Sequence, residues 1–279
     1  MNSEEKYITG RDFWEATVIT TPAAHKLHSA ISITSPYESH AVDITLLVLC
    51  HNNEDDVIAT LNAVVEALDV VDKTFEIIVI DDLSTDRTVE MVRGYIHEFP
   101  QLKIMLRINK KRKGVAANYV DGAFIGCGKY YRLVHGDNSE SVETMVDVLG
   151  SLGDADIIVP YYISMRKKGL WERFTTRGFT WCVNRITGNQ INYYDALPVH
   201  LRYNVMRWRP VTAGSAFHAD LLCQLLDFGF TCKQVPCRAV PERTPGGFWS
   251  GVKNVLSAKH VVIELVIRRV SNMIHGGGE

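Results

Sequence analysis

The chain has 279 residues, 46% of them hydrophobic, enough for one large domain or a domain with a substantial extension. Its net charge of −2 hides an asymmetry: residues 1–160 carry 14 Lys and Arg against 25 Asp and Glu, a balance of −11, while residues 161–279 carry 16 against 7, a balance of +9. Six cysteines without a CxxC pair, a start (MNSEEKYITG) without an apolar signal core, and a longest late apolar run (VVIELVI, 261–267) interrupted by Glu264 argue against a disulfide-stapled secreted domain and a membrane-spanning helix, and for a reducing, cytoplasmic location. The basic C-terminal half points to an anionic partner: a phosphate, a lipid head group or a nucleic acid.

Residues 1–43 show no clear period and read as an N-terminal arm. From there strand and helix alternate. ITLLVLC (44–50) is a continuous apolar run, as a buried parallel strand requires, and Val57, Leu61, Val64, Val65 and Leu68 follow at helical spacing. FEIIVIDD (75–82) is a second buried strand, and a helix follows it with Val92, Tyr95, Ile96 and Phe99 inward. LKIMLRIN (102–109), a small-residue helix over 114–127, and KYYRLVHGD (129–137) complete four strands and three helices. This alternation predicts an α/β fold with a mostly parallel sheet. SVETMVDVLG then reads as a short helix, ADIIVPYYI as a strand, 164–188 as a basic segment, and 219–229 as a helix. FTCKQVPCRAV reads as an edge strand broken by Pro236, and a last helix spans about 251–272. The organisation expected is an arm over 1–43, a domain over 44–240 and a helical extension over 241–279.

In such sheets ligands sit at the C-terminal strand ends. Those ends carry Cys50-His51-Asn52, Asp81-Asp82, Asn109 and His135-Gly136-Asp137. Two adjacent buried carboxylates, Asp81 and Asp82, are costly unless hydrogen-bonded or facing a ligand. Asp81 can accept from a base N–H, and Asp82 can cap the turn into the next helix. Arg112 and Lys113, with Lys111, lie beside a helix N-terminus, a platform for a diphosphate.

DDLSTDRT (81–88), after LCHNNE (49–54), resembles the opening of a family 2 inverting glycosyltransferase with the GT-A fold, whose usual pattern is Pro-x-Tyr-Asn-Glu and then Asp-Asp-x-Ser-x-Asp-x-Thr. The second motif is complete in Asp81, Asp82, Ser84, Asp86 and Thr88; the first departs from the pattern with Leu49, His51 and Asn53. The resemblance implies that Leu49, His51, Asn53 and Asp81 surround the base of a UDP- or GDP-hexose. Gly114, Ala117, Asn118, Gly122 and Gly128 match the next family element, whose small residues let the helix approach the nucleotide. His135-Gly136-Asp137 stands where the family has Asp-x-Asp. That implies a divalent cation, Mn²⁺ or Mg²⁺, at Asp137, with His135 as a second ligand, as a partner of ribose or diphosphate, or as the mark of a lost metal site.

The C-terminal half looks like the polyprenyl-phosphate hexosyltransferase branch, which implies an anionic lipid acceptor received by Arg166, Arg202, Arg243 and Ser250 at the inner face of a membrane. A phosphate monoester needs no general base. A glycan hydroxyl does, and Asp195 and Asp220 are the candidates. The last helix suits a membrane interface, packing on the domain, or a homodimer contact. A nucleotide-sugar is then the partner, rather than a nucleic acid. The other readings are a non-catalytic nucleotide-sugar-binding protein and a dinucleotide-dependent oxidoreductase; the second needs a GxGxxG after the first strand, and LCHNNEDD contains no glycine.

Overall fold

The structure, a computed structural model, describes residues 42–163, 170–210, 216–238 and 248–275. The expected N-terminal arm, save its last two residues, lies outside them, as do Arg166 and Arg243. Four strands open the described chain: β1 (Val42–Cys50), β2 (Phe75–Asp81), β3 (Ile104–Ile108) and β4 (Gly128–His135). Helices α1 (Val57–Val70), α2 (Thr88–Glu98) and α3 (Val115–Ile125) connect them. There follow α4 (Val142–Leu149), β5 (Ile157–Tyr162), α5 (Leu170–Thr187), β6 (Val199–Leu201), α6 (Arg202–Arg207), α7 (Phe217–Asp227), β7 (Cys232–Cys237) and α8 (Phe248–His275). The sheet runs β3-β2-β1-β4-β6-β5-β7, with every pairing parallel except those of β6.

The apolar runs go where expected. Except for Asp43, every residue of β1 is buried, and Ile77 to Asp81 of β2 are buried as well. Helices lie over both faces of these strands, so neither can afford the polar alternation of a half-exposed strand. One group of helices, α1, α2 and α4, packs together; α3, α6 and α7 form another, with Tyr119 of α3 against Phe217 of α7 at 5.2 Å between ring centroids. The order 3-2-1-4 reverses direction between β1 and β4. That is the switch point, where the crevice beyond the carboxyl ends of the strands takes ligands.

Two of the small residues, Gly122 of α3 and Gly128 at the start of β4, serve the packing of helix on sheet. A Cβ on Gly122 would overlap the Tyr131 hydroxyl and one on Gly128 the backbone of Thr45, so these glycines allow helix and strand to close on β1 and β4. Pro236 does not break β7; the strand tolerates it because it is an edge, paired on one side only, with β5. Three elements were not read from the sequence, among them the six-residue helix α6. The strand β6 is three residues long, too short to show alternation, and α5 mixes its apolar and basic positions within the basic segment.

Two expected acceptor residues are structural instead. Asp220 is buried; its Oδ1 accepts from Arg268 Nη2 at 2.6 Å and its Oδ2 from Trp208 Nε1 at 3.0 Å. With both oxygens occupied, it fastens α8 to the body and cannot serve as a base. Arg269 completes the dock, donating to Thr187 O at 2.7 Å and Asp227 Oδ1 at 2.6 Å, while Val261 and Leu265 of α8 are buried. Arg202 donates to Gly128 O at 2.7 Å and Ala123 O at 2.9 Å. Those carbonyls lie at the start of β4 and the end of α3, the sheet edge opposite the switch-point crevice, so Arg202 receives no acceptor there.

Asp220→Ala leaves the Arg268 guanidinium without its carboxylate and Trp208 Nε1 without an acceptor. We expect a loss of about 3 kcal/mol or more, read as a lower urea midpoint with an unchanged slope.

Candidate functional site

The site is built where β1, β2 and β4 end. Cys50 pairs with Asp81 and Leu49 with His135, so the three strands finish level. Backbone bonds extend this register into the loops: Asp82 N donates to Cys50 O at 2.8 Å, Asn109 N to Asp81 O at 2.9 Å, and Gly136 N to Leu49 O at 2.9 Å. Gly136 must be glycine, since a Cβ there would sit 2.6 Å from Cys50 Sγ. Burial, followed by the negative charges of Asp81, Asp86 and Asp137, pushes the Cys50 thiol far up, so it is an inert wall between carboxylates.

The DDLSTDRT segment clamps the loop after β1. Asn52, at φ 56°, donates from its N–H to Ser84 Oγ at 2.9 Å and accepts on Oδ1 from Thr85 N at 2.8 Å. Asn53 N donates to Thr88 Oγ1 at 2.8 Å, and Glu54 N to Asp86 Oδ2 at 3.1 Å. Asp86 Oδ1 accepts from both the N–H and the hydroxyl of Thr88. Asn53 Oδ1 is also engaged, by His51 N at 2.8 Å. The His51 ring places Nδ1 at 3.1 Å from Asp82 O; a carbonyl only accepts, so Nδ1 is the donor there and the tautomer with its proton on Nδ1 leaves Nε2 as an acceptor.

The two acids of β2 do different things. Asp82 is a scaffold: it accepts from Lys113 N at 2.9 Å, Gly114 N at 3.0 Å and Asn109 Nδ2 at 2.9 Å. Burial works against its charge, but the hydrogen bonds from Asn118, Lys113, Asn109 and Gly114 prevail and hold its carboxyl below the usual range. It therefore secures the entry to α3, not the entry to α2 that the sequence suggested, and it takes backbone N–H groups expected to cradle a diphosphate. Gly114, at φ 81°, makes that turn. Asn118 is wholly buried, accepting from Asn109 and donating to Gly114 O, and Lys113 Nζ pairs with Asp121 Oδ2. Asn118, Gly114 and Lys113 are thus tied into the protein's own hydrogen bonds at this edge. Arg112 stays exposed, 4.0 Å from Asp82, and remains able to meet a phosphate.

Asp81 keeps the open oxygen of the pair. It is 1% exposed; Oδ2 accepts from Ser84 N at 3.0 Å, while Oδ1 has no hydrogen-bond partner among the described residues. A buried carboxylate oxygen left open at a switch point suits an N–H donor on a ligand. Across Cys50, Asp137 is partly exposed and turns the chain by accepting from Ser139 N at 3.3 Å, with Asn138 N bound to Thr60 Oγ1 at 2.9 Å. No group of three or more His, Cys, Asp or Glu among the described residues is arranged to hold a metal. His135 and Asp137 fit a cation only if the ligand's own oxygens complete its coordination, as diphosphate oxygens do.

The sequence reading missed what stands behind this loop. Arg132, wholly buried in β4, forms a bidentate pair with Glu140, Nη1 to Oε2 at 2.9 Å and Nη2 to Oε1 at 2.5 Å, and its Nε donates to Leu197 O at 3.2 Å. Charge inside the apolar run YYRLV was the available signal, because a buried arginine demands an acid. The antiparallel pairing of Val199 with Arg132 carries the segment before β6 toward the carboxyl end of β4. Asp195 therefore approaches the same edge as Asp137, with Tyr193 against Tyr162 at the end of β5 at 5.4 Å. Ser250 lies in the part of α8 whose side chains are outside the described residues.

The depressed carboxyl of Asp82 gives stability that is complete above the unfolded value of 3.8 and is lost as pH falls through its lower folded value. Asp82→Asn should cost about 2 kcal/mol at pH 7, and the difference from wild type should shrink as both are titrated below pH 4, read by urea unfolding at each pH.

The sequence profile described as Glycosyl transferase family 2 matches residues 45–212. No curated protein matches the chain. Among solved structures, a mannosyltransferase from Pyrobaculum calidifontis in complex with GDP-Man and Mn²⁺ superposes with a TM-score of 0.60 at 15% identity, covering 83% of this chain and 69% of that one. Glucosyl-3-phosphoglycerate synthase from Mycobacterium tuberculosis, in complex with UDP, gives 0.60 at 16% identity, covering 82% and 80%. At these identities the likeness establishes the fold, GT-A, while the profile spans well over half of the chain: the protein belongs to glycosyl transferase family 2.

Proposed function

We propose that the protein transfers a hexose, with inversion, from a nucleoside-diphosphate sugar to a lipid-linked phosphate at the cytoplasmic face of a membrane. The observation that carries the donor half is the open Oδ1 of buried Asp81, on one strand-end row with Asp137. Asp81 receives an N–H of the base, and His51 Nε2 offers a second acceptor. Asp137, with His135 beside it, holds Mn²⁺ or Mg²⁺ together with the donor diphosphate; when bound, the cation neutralises charge on the departing nucleoside diphosphate. Arg112 adds a guanidinium to the same end of the donor. The structural relatives support both nucleotides, with GDP-Man in one and UDP-Glc in another.

The lipid half rests on α8. Leu256, Ile263, Ile267 and Val270 are exposed at 60%, 46%, 55% and 44%, and their spacing of seven, four and three puts them on one stripe, with Lys259 and His260 alongside. An apolar stripe edged with a lysine and a histidine suits an anionic membrane surface. No helix among the described residues is long and apolar enough to cross a membrane. A phosphate acceptor is already nucleophilic and needs no base. A second reading has one observation in its favour: Asp195 reaches the donor edge, where it can take a proton from a glycan hydroxyl.

A thermal-shift panel of UDP- and GDP-hexoses with and without Mn²⁺ tests the donor. One nucleotide-sugar should stabilise the protein in a Mn²⁺-dependent way, by about 2.7 kcal/mol at a hundred times its Kd. Asp81→Ala should remove the nucleotide response and Asp137→Ala its metal-dependent part. A protein that answers to no nucleotide-sugar would sink the proposal. For the lipid half, Leu256→Asp with Ile263→Asp should lower co-sedimentation with anionic vesicles at least severalfold while leaving the donor response intact; equal sedimentation argues for the glycan acceptor.

A further inference from the structure

Far along the chain from the donor acids, α5 forms one wall of an open groove of about 270 Å³. Thr176, Arg177, Thr180, Trp181 and Asn184 line it from the helix, and Ile191 and Asn192 from the turn opposite. The turn is a built wall. Asn184 binds Ile191 through both its amide groups, Nδ2 to O at 2.8 Å and N to Oδ1 at 3.2 Å, and Tyr194 donates to the same Oδ1 at 2.9 Å. Asn192 N donates to Gln234 Oε1 at 2.8 Å, tying the turn to β7. The lining carries a guanidinium, two hydroxyls and two amides but no carboxylate, so its chemistry favours an anion.

A second feature meets the groove at the same residues. Phe174, Arg177, Trp181 and Arg185 follow at three-, four- and four-residue steps along the outer face of α5, with Phe174 75% and Trp181 70% exposed. Arg177 and Trp181 stand on the border, facing both the polar groove and this aromatic stripe. An exposed tryptophan beside an arginine, next to a helix (α8) with its own exposed apolar stripe, favours a ligand with a charged head and an apolar tail. The turn that walls the groove continues through Tyr193 to Asp195, in the segment that approaches the strand-end edge.

The geometry points to this groove as the acceptor subsite: it takes the phosphate of an isoprenoid-type lipid on Arg177, Thr176 and Thr180, while the tail passes over Trp181 and Phe174. This rests on the lipid-phosphate reading above and places it on residues that reading did not use.

The test is isothermal titration of the full chain, with Mn²⁺ and nucleoside diphosphate present, using farnesyl phosphate, inorganic phosphate, farnesol and a methyl hexoside as probes. Farnesyl phosphate should bind more tightly than inorganic phosphate or farnesol. Arg177→Ala should weaken farnesyl phosphate about tenfold or more, as the loss of a charge-assisted hydrogen bond implies. Trp181→Ala should weaken farnesyl phosphate and leave inorganic phosphate unchanged. Both side chains are surface groups, and an unchanged nucleotide-sugar thermal shift verifies that each variant is folded. If farnesyl phosphate binds and neither variant affects it, the subsite is wrong while the lipid-acceptor reading survives. If the methyl hexoside binds and farnesyl phosphate does not, both fall. Equal binding of farnesol and farnesyl phosphate overturns the anionic head.

Discussion

Loops at the end of a parallel sheet expose backbone N–H groups that the ladder no longer satisfies, and here carboxylates satisfy them. Asp82 accepts from two backbone N–H groups at the head of α3, Asp86 from the loops on both sides of it, and Asp81 from Ser84. Hydrogen bonds to an ionised acceptor are shorter and stronger than neutral ones, so a run of acids can fix three loops around one strand end. Rigidity for the edge thus comes from residues that a motif alone would assign to ligand binding. What remains for a ligand is what the scaffold leaves open: Asp81 Oδ1, His51 Nε2, Asp137 and the exposed head of Arg112.

The buried pair of Arg132 and Glu140 links that edge to the second half of the chain. Glu140 follows the His135-Gly136-Asp137 turn, and Arg132 Nε reaches the carbonyl of Leu197, just after Asp195. One guanidinium therefore fixes the acid loop on one side and the approach to β6 on the other. Taking both charges out of water is costly, and the net gain in stability over an apolar pair is small or negative. Its contribution is better understood as geometry: the Asp137 loop and the segment carrying Asp195 cannot drift independently while both are bonded to the same side chain.

Most of the architecture was legible in the sequence, for a physical reason. Strands buried on both faces must be continuously apolar, so ITLLVLC, FEIIVID and the strand ending in His135 announced themselves, and strict alternation with helices gave the parallel topology. Three-residue β6 has no period to read, and α5 hides its register among arginines. The place of the acids at the strand ends was legible, and their hydrogen-bond partners were not. Sequence places Asp81 and Asp82 side by side; only coordinates show that one keeps an open oxygen and the other is fully engaged. Asp220 and Arg202 were misassigned because partner choice is a tertiary property: the mate of Asp220 lies 48 residues downstream, and Arg202 binds carbonyls at the opposite end of the sheet.

The charge asymmetry also means something narrower than the totals suggest. Of the cations in the basic half, Arg202 is spent on backbone carbonyls, Arg268 and Arg269 on docking α8, and Lys233 on Asp154. None of these contributes an open positive charge to the surface. Those that do, among the described residues, include Arg177 and Arg185 on the outer face of α5 and Lys259 on that of α8, each set among exposed aromatic or aliphatic side chains. Net charge by itself speaks of solubility and encounter. Cations paired with apolar surface on two packed helices are more specific, because a soluble anion has no use for Phe174 or Ile267, and a purely apolar partner has none for Arg177. The amphiphilic acceptor proposed above would use both.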